Sequence, residues 1–330
     1  MMVKTGVIGI LVLQMCWQWM GSGGQRIVRR MDLPSPVTGP ESIAFDSIGG
    51  GPYTGGSDGR IFKFENGAFV EFAYTSPIRN KTLCDGIAGF SALQETCGRP
   101  LGLGFHEGTQ EWYVADAYQG LVKVPSFGGR PTQVVTSVQC RPFRFLDALD
   151  IDPSTGIVYF TEASSRYQLK DMQALLSSGD SSGSLLSYDP RTGQTKVLLG
   201  NLALPGGVAV SRDSSFLLVT EFLANRVQRF WLTGPGQNRS ELFLQLAGRP
   251  DNIKRNSGGE FWIAVNTPLG PPTTTAFLPL AVRVNAAGFI LQIVPLTQIY
   301  GNQEVSEVQE HNGALYSGSL LAPYAAIFSP

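Results

Sequence analysis

Histidine is almost missing from this chain of 330 residues, which has only His106 and His311. A Ser-His-Asp nucleophile would have to use one of them. His106 ends a strand-like run and His311 falls in the turn EHNG, so both read as turn or surface residues, and a triad hydrolase is disfavoured. Cysteine is scarce too, with four residues and neither a CxxC pair nor a Cys/His cluster, which argues against structural zinc. Charged residues make up 15% and the formal net charge is -1. Without a basic stripe there is no footprint for nucleic acid. The P-loop and a GxGxxG after a strand are both absent, so the common nucleotide-binding signatures are excluded.

Glycine, by contrast, is abundant at 39 residues, as a fold with many tight turns requires. Apolar and polar residues alternate at period two through Leu204 to Leu232, LPGGVAVSRDSSFLLVTEFLANRVQRFWL, with turn clusters between the runs. That pattern is three short antiparallel strands, and SELFLQL at 240–246 adds a fourth. Four strands in about forty residues make one propeller blade. Similar units open at Gly39, Arg99, Phe145, Arg249 and Val305, a period of roughly 45 to 60 residues. No unit can bury its faces alone, so the expectation is an all-β, six-bladed β-propeller occupying residues 25–330 as one domain. The sixth unit lacks an outer strand, and residues near Ile27 to Met31 are expected to supply it.

The apolar run from Val7 to Trp19 follows Lys4 and precedes small residues up to Gly24, which reads as a secretory signal peptide over 1–24. An uncleaved anchor is the alternative, since Arg26, Arg29 and Arg30 follow the run. Either way the body of the chain is lumenal, and no other segment is expected to meet a membrane. Asn80-Lys81-Thr82 and Asn238-Arg239-Ser240 are glycosylation sequons in predicted loops. Cys84 and Cys97 bracket a Gly-rich excursion, and in an oxidising compartment they are expected to pair, a loop closure that contributes about 3 kcal/mol. Cys16 leaves with the signal, and Cys140 is left over, expected to be buried and inert.

Residues at the entry of each innermost strand ring one mouth of a propeller's channel. They are Glu41, Leu101, Asp147, Gly206, Asp251 with Asn252, and Ser306 with Glu304. The oxygen-bearing ones either converge as a ligand site or cap turns by bonding backbone N–H groups. Two insertions border the mouth. In the third blade Tyr167 to Ser178 places Leu169, Met172, Leu175 and Leu176 on one helical face, a short lid helix. In the fifth, Pro268 to Pro279 is a Pro-stiffened apolar loop. Together they suit a hydrophobic small molecule; alternatively the lid only plugs the channel.

The runs TGIVYFTEASSRY, GSLLSYDPRTGQTKVLL, LPGGVAVSRDSSFLLVTEFL, NIKRNSGGEFWIAV and VQEHNGALYSGSL resemble the plant strictosidine synthase-like proteins, and the similarity extends from Gly39 to Phe328. The resemblance implies a six-bladed propeller that enters the secretory pathway and resides in the vacuole, the endomembrane lumen or outside the cell. It also implies the Cys84–Cys97 disulfide and the lid helix of blade three. Strictosidine synthase condenses an amine with an aldehyde in alkaloid biosynthesis, using a Glu base at the entry of blade six. Here that position is Ser306, and a hydroxyl is too weak a base for the task. Glu307 is expected to point to the opposite face, whereas Glu304 shares the face. An aromatic position of the synthase pocket falls on Asp147.

More distant relatives with this fold are calcium-dependent lactonases and paraoxonases. Of their five oxygen ligands Glu41, Asp251 and Asn252 match, Gly206 replaces an Asn, and the last position falls on Leu146 beside Asp147. The resemblance therefore implies a lactone or ester hydrolase of plant secondary metabolism, with Ca2+ on Glu41, Asp251 and Asn252 and with Asp147 or Glu304 as base. The alternatives are amine–aldehyde condensation with Glu304 as a displaced base, and a secreted propeller that binds a ligand without turnover. The oligomeric state is not legible in the sequence.

Overall fold

In a computed structural model the chain forms a ring of six antiparallel sheets; residues 28–270 and 276–329 are described. The expected signal segment, Cys16 and Ile27 lie outside them. Blades two to five are complete meanders whose innermost strands are Pro100–His106, Phe145–Ile151, Gly207–Val210 and Arg249–Arg255. Each later strand of a blade pairs with the one before, so the order outward follows the sequence. Among the described residues no helix is long and apolar enough to cross a membrane.

Blade one departs from the expected pattern. Tyr53–Gly55, Arg60–Glu65 and Ala68–Tyr74 form a three-stranded sheet, and the innermost segment meets it only at the bridge between Ala44 and Tyr53. Its backbone groups are taken by side chains instead of a ladder. The Thr54 hydroxyl donates to the Ser42 carbonyl at 2.7 Å, and the Ile43 N–H donates to the Glu307 carboxylate at 2.7 Å.

Blade six is Glu307–His311, Ala314–Gly318 and Tyr324–Phe328, with Val28–Asp32 as its outer strand in the register Val28 to Phe328 and Asp32 to Tyr324. The expected closure therefore forms, over Val28–Asp32 among the described residues. Arg30 fastens it: the guanidinium lies 4.1 Å over the Tyr324 ring and donates to the Ile299 carbonyl.

Apolar residues fill the wedges between neighbouring blades, for example Tyr53 and Trp112 between blades one and two, and Val294, Val308 and Phe328 between five and six. Near the axis the inner strands come closer than side chains allow. A Cβ on Gly102 would lie 2.7 Å from the Leu149 nitrogen, and one on Gly207 would lie 2.8 Å from the Asn252 Cα. Only glycine permits such an approach.

The expected lid is a single helical turn at Leu169–Asp171 that continues as a helix at Met172–Ser178, opened by a capping box at Gln168. Leu169 and Leu175 are fully buried, and Met172 and Leu176 pack beside them. In blade five the strands Phe261–Pro268 and Phe277–Val284 run longer than predicted. Both ends of the predicted loop are thus strand, paired up to Pro268 with Phe277, and residues 271–275 lie outside the described part.

Cys84 and Cys97 form the expected disulfide, with both residues fully buried. Cys140 corrects an expectation: it is exposed, at φ 63°, in the turn of a small hairpin between Ser137–Val138 and Arg141–Pro142. That hairpin lies outside the four-stranded sheets, so no neighbouring blade covers the thiol. His106 is a second correction. It is buried, accepts from the Thr109 N–H at 3.0 Å and meets the Gly156 carbonyl at 3.0 Å. His311 is partly exposed and stacks on Phe45 with centroids 3.7 Å apart.

Candidate functional site

Inner strands run from the mouth toward the opposite face, so both histidines, which close such strands, lie at the far end. The carboxylates lie at the near end. Glu41 is 3% exposed; its Oε1 accepts from the Asn252 amide at 2.5 Å, and its Oε2 has no hydrogen-bond partner. Burial raises its pKa well above the carboxylate range, and the charges of Asp147 and Glu307 raise it further. Asp147, 7% exposed, is pushed up to about 8 by burial, which the neighbouring Arg99 only partly offsets. Asp251 is partly exposed, and its pKa is raised by burial and by Glu41, Asp147 and Glu304. Three acids share this site: Asp147 disfavours the ionisation of Glu41, both disfavour that of Asp251, and Arg99 offsets the effect only in part.

Ser306 is buried. Its hydroxyl bonds the Asp251 carboxylate, while its Oγ accepts from the Leu320 N–H at 2.9 Å. The Asn252 N–H donates to the Ser306 carbonyl at 2.9 Å, which ties blades five and six together at the mouth. Glu304 stands at the rim, partly exposed, with its pKa raised by burial and lowered by Arg249. Arg249 lies over the rings of Phe222 and Phe277 at 5.4 and 5.7 Å.

The structure therefore brings Glu41, Asp147, Asp251, Asn252, Glu304 and Ser306 to one mouth, as strand counting predicts. Glu307 leaves the mouth as expected, but it turns into the axis one layer deeper. There it is fully buried and pairs with Lys254 at 3.4 Å. Asn80 and Asn238 lie elsewhere, both exposed.

Sequence reasoning missed Arg99, the fully buried cation beneath the mouth, whose guanidinium donates to the carbonyls of Gly39 at 2.9 Å and Pro100 at 3.2 Å. Its signal was an arginine directly before the second inner strand. The same close packing explains Gly39, where a Cβ would lie 2.3 Å from the guanidinium.

The lid packs with Leu101, Phe145, Leu204 and Phe222, which stand where blades two to four meet the mouth. Lys170 of the lid pairs with Glu95 of the disulfide-closed excursion, and the Lys170 N–H donates to the Tyr118 hydroxyl at 3.0 Å. An apolar cover thus borders an acidic floor. At the opposite end the channel opens into a cavity of about 160 Å3 lined by Phe45, Phe105, Asp150, Lys254, Arg255 and Gln309.

Among the described residues no three His, Cys, Asp or Glu side chains are grouped so as to hold a metal ion by themselves. The set Glu41, Asp251 and Asn252 has two acids and an amide, a smaller group than that. Its donors are all oxygens once the amide turns, and Glu41 Oε2 is an orphaned buried acceptor. In chemistry the set fits a hard cation.

A profile of the strictosidine synthase family matches residues 147–235, and one of the strictosidine synthase-like N-terminal region matches 27–64. Strictosidine synthase-like protein 12 of Arabidopsis thaliana is 43% identical over 304 residues, 91% of this chain and 89% of that protein. Strictosidine synthase of Catharanthus roseus is 38% identical over 298 residues, covering 89% and 84%. Among solved structures, a gluconolactonase from Xanthomonas campestris superposes with a TM-score of 0.64 at 12% identity over 93% of this chain and 90% of its own. The calcium-binding protein regucalcin from Agrobacterium tumefaciens gives 0.56 at 13% over 88% and 82%. The structural likenesses establish the six-bladed architecture; the sequence relatives, matched over nearly their whole length, establish that this chain belongs to the strictosidine synthase-like family.

Proposed function

We propose that the protein is a small-molecule hydrolase that opens a lactone or ester of an apolar metabolite at the acidic mouth, with a divalent cation bound there. The observation that carries this reading is the cluster of Glu41, Asp147 and Asp251, in which Asp147 raises the pKa of Glu41, both raise that of Asp251, and Glu41 Oε2 has no hydrogen-bond partner. Such a cluster is stabilised by a positive charge among the three. Glu41, Asp251 and Asn252 would hold calcium, with waters and backbone carbonyls completing the shell. A cation there supplies a Lewis acid for the ester carbonyl.

Asp147 then takes a proton from the attacking water. Burial, which pushes its pKa up to about 8, suits it to hold that proton near neutrality. Leu101, Phe145, Leu204 and the lid hold the apolar body of the substrate and keep bulk water out. The disulfide and the two exposed sequons support a lumenal location.

Melting curves with calcium and with a chelator test the reading. A cation at a hundredfold excess over Kd stabilises by about 2.7 kcal/mol, a shift of several degrees. Asp251→Ala is expected to abolish both the shift and turnover of an ester and lactone panel. A wild-type curve indifferent to calcium would sink the metal-assisted mechanism.

One observation favours a second reading, amine–aldehyde condensation. Glu304 lies close enough to Asp251 to raise its pKa, and burial raises its own, as a base near neutrality requires. Product from an amine and an aldehyde in the presence of chelator, lost in Glu304→Gln, would establish it.

A further inference from the structure

Directly beneath the mouth a second tier of buried and half-buried polar groups links five of the six blades, and Glu307, Ile43, Lys254 and Leu149 in it stand one or two residues along the same inner strands as the site residues. Glu307 follows Ser306 and accepts from the N–H of Ile43, two residues after Glu41, at 2.7 Å. Lys254, two residues after Asn252, lies 3.4 Å from the other Glu307 oxygen and donates to the carbonyl of Leu149, two residues after Asp147, at 3.4 Å. One ion pair therefore binds the inner strands of blades one, three, five and six at a single level. Blade four is held at a similar depth, because the Val210 N–H donates to Asp150 and its carbonyl accepts from Arg255, both at 2.8 Å.

Most buried ion pairs add little stability over an apolar pair of similar volume, so this one calls for another explanation. Blade one supplies it. Its inner segment has only the Ala44 bridge to the rest of its sheet, yet it carries Glu41. At the level just below Glu41, Glu307 ties this segment to blade six, between the Ser319 N–H bond to the Pro40 carbonyl at 2.9 Å and the stacking of His311 on Phe45.

We infer that Lys254 and Glu307 are a positioning pair: they fix the spacing of Glu41, Asp147 and Asn252 from below, so that the mouth keeps an open gap between carboxylates instead of collapsing. The inference rests on the proposed cation site for its functional meaning, but not for its geometry.

The test is the double variant Lys254→Met/Glu307→Met, whose side chains keep the volume but remove both the ion pair and the acceptor of the Ile43 N–H. The single variant Glu307→Met is measured beside it. Calcium affinity is read by titration calorimetry, and the Glu41–Asn252 contact by a crystal structure of each protein without calcium. The double variant is expected to melt within a few degrees of wild type in chelator and to bind calcium at least about tenfold more weakly, as loss of outer groups around a metal site typically gives. Its Glu41 carboxylate is expected to shift away from Asn252.

Calcium binding within twofold of wild type together with an unmoved Glu41 would overturn the inference. If wild type binds no calcium, the proposed hydrolase reading fails, and the position of Glu41 alone decides the inference. If the double variant does not fold, the single variant is judged by the same two readouts.

Discussion

Asp147 is the residue on which pH should act most visibly. Its pKa is about 8 in the folded chain, against an ordinary aspartate value near 4 when unfolded. Between these values the folded chain keeps a proton that the unfolded chain has lost, so stability falls as pH rises through that window. Glu41 and Asp251, also raised, act in the same direction. The calcium-free protein is therefore expected to melt at a higher temperature at pH 5.5 than at pH 8.5, with a shallower dependence in Asp147→Asn. A melting temperature that rises over this interval would contradict the assigned environment. The carboxylates themselves were legible in the sequence, because each stands at the entry of a repeated strand and the repeat brings such positions together. Arg99, Lys254 and Glu307 were not, since their roles depend on partners in other blades. Period-two alternation turned Glu307 away from the mouth correctly, but could not say that the axis lies on the face it turns to.

At the scale of elements, the lid is the clearest success of periodicity and blade one its clearest failure. Leu169, Met172, Leu175 and Leu176 share a helical face in the sequence, and the same residues meet the propeller. Leu175 is fully buried there; Leu175→Ala is expected to destabilise by roughly 2 to 5 kcal/mol in denaturant unfolding. A loss below about 0.5 kcal/mol would mean that the helix is not docked in solution. The segment 41–45 has the alternation of a strand but makes only a bridge, because side chains of Thr54 and Glu307 occupy its backbone groups. A pattern of apolar residues carries no information about which partner a backbone N–H will choose. The exposed Cys140 was misjudged for a related reason: composition makes free cysteine a buried residue on average, and a two-residue turn outside the sheets overrides the average.

For the whole molecule, closure and cross-linking set the stability. Removing the disulfide with Cys84→Ser/Cys97→Ser is expected to cost on the order of 3 kcal/mol, read as a fall in the unfolding midpoint. Deleting residues 28–36 removes the outer strand of blade six and exposes the edge of Tyr324–Phe328. The expected result is a lower melting temperature together with self-association by light scattering. Unchanged melting would show that the ring does not depend on this strand. That the ring has six blades followed from counting repeats. That its opening strand belongs to its last blade followed from a missing strand, an argument available only once the count was known.

The pairing of Val28 with Phe328 also imposes an order in time. During synthesis the strand 28–32 leaves the ribosome first, and its partner at 324–328 follows only after every other blade. A nascent chain can stack blades as they emerge, but it must carry an unpaired edge until the end. Closure waits for Tyr324–Phe328, and a premature stop in blade six before that strand leaves an open arc with its first strand unpaired.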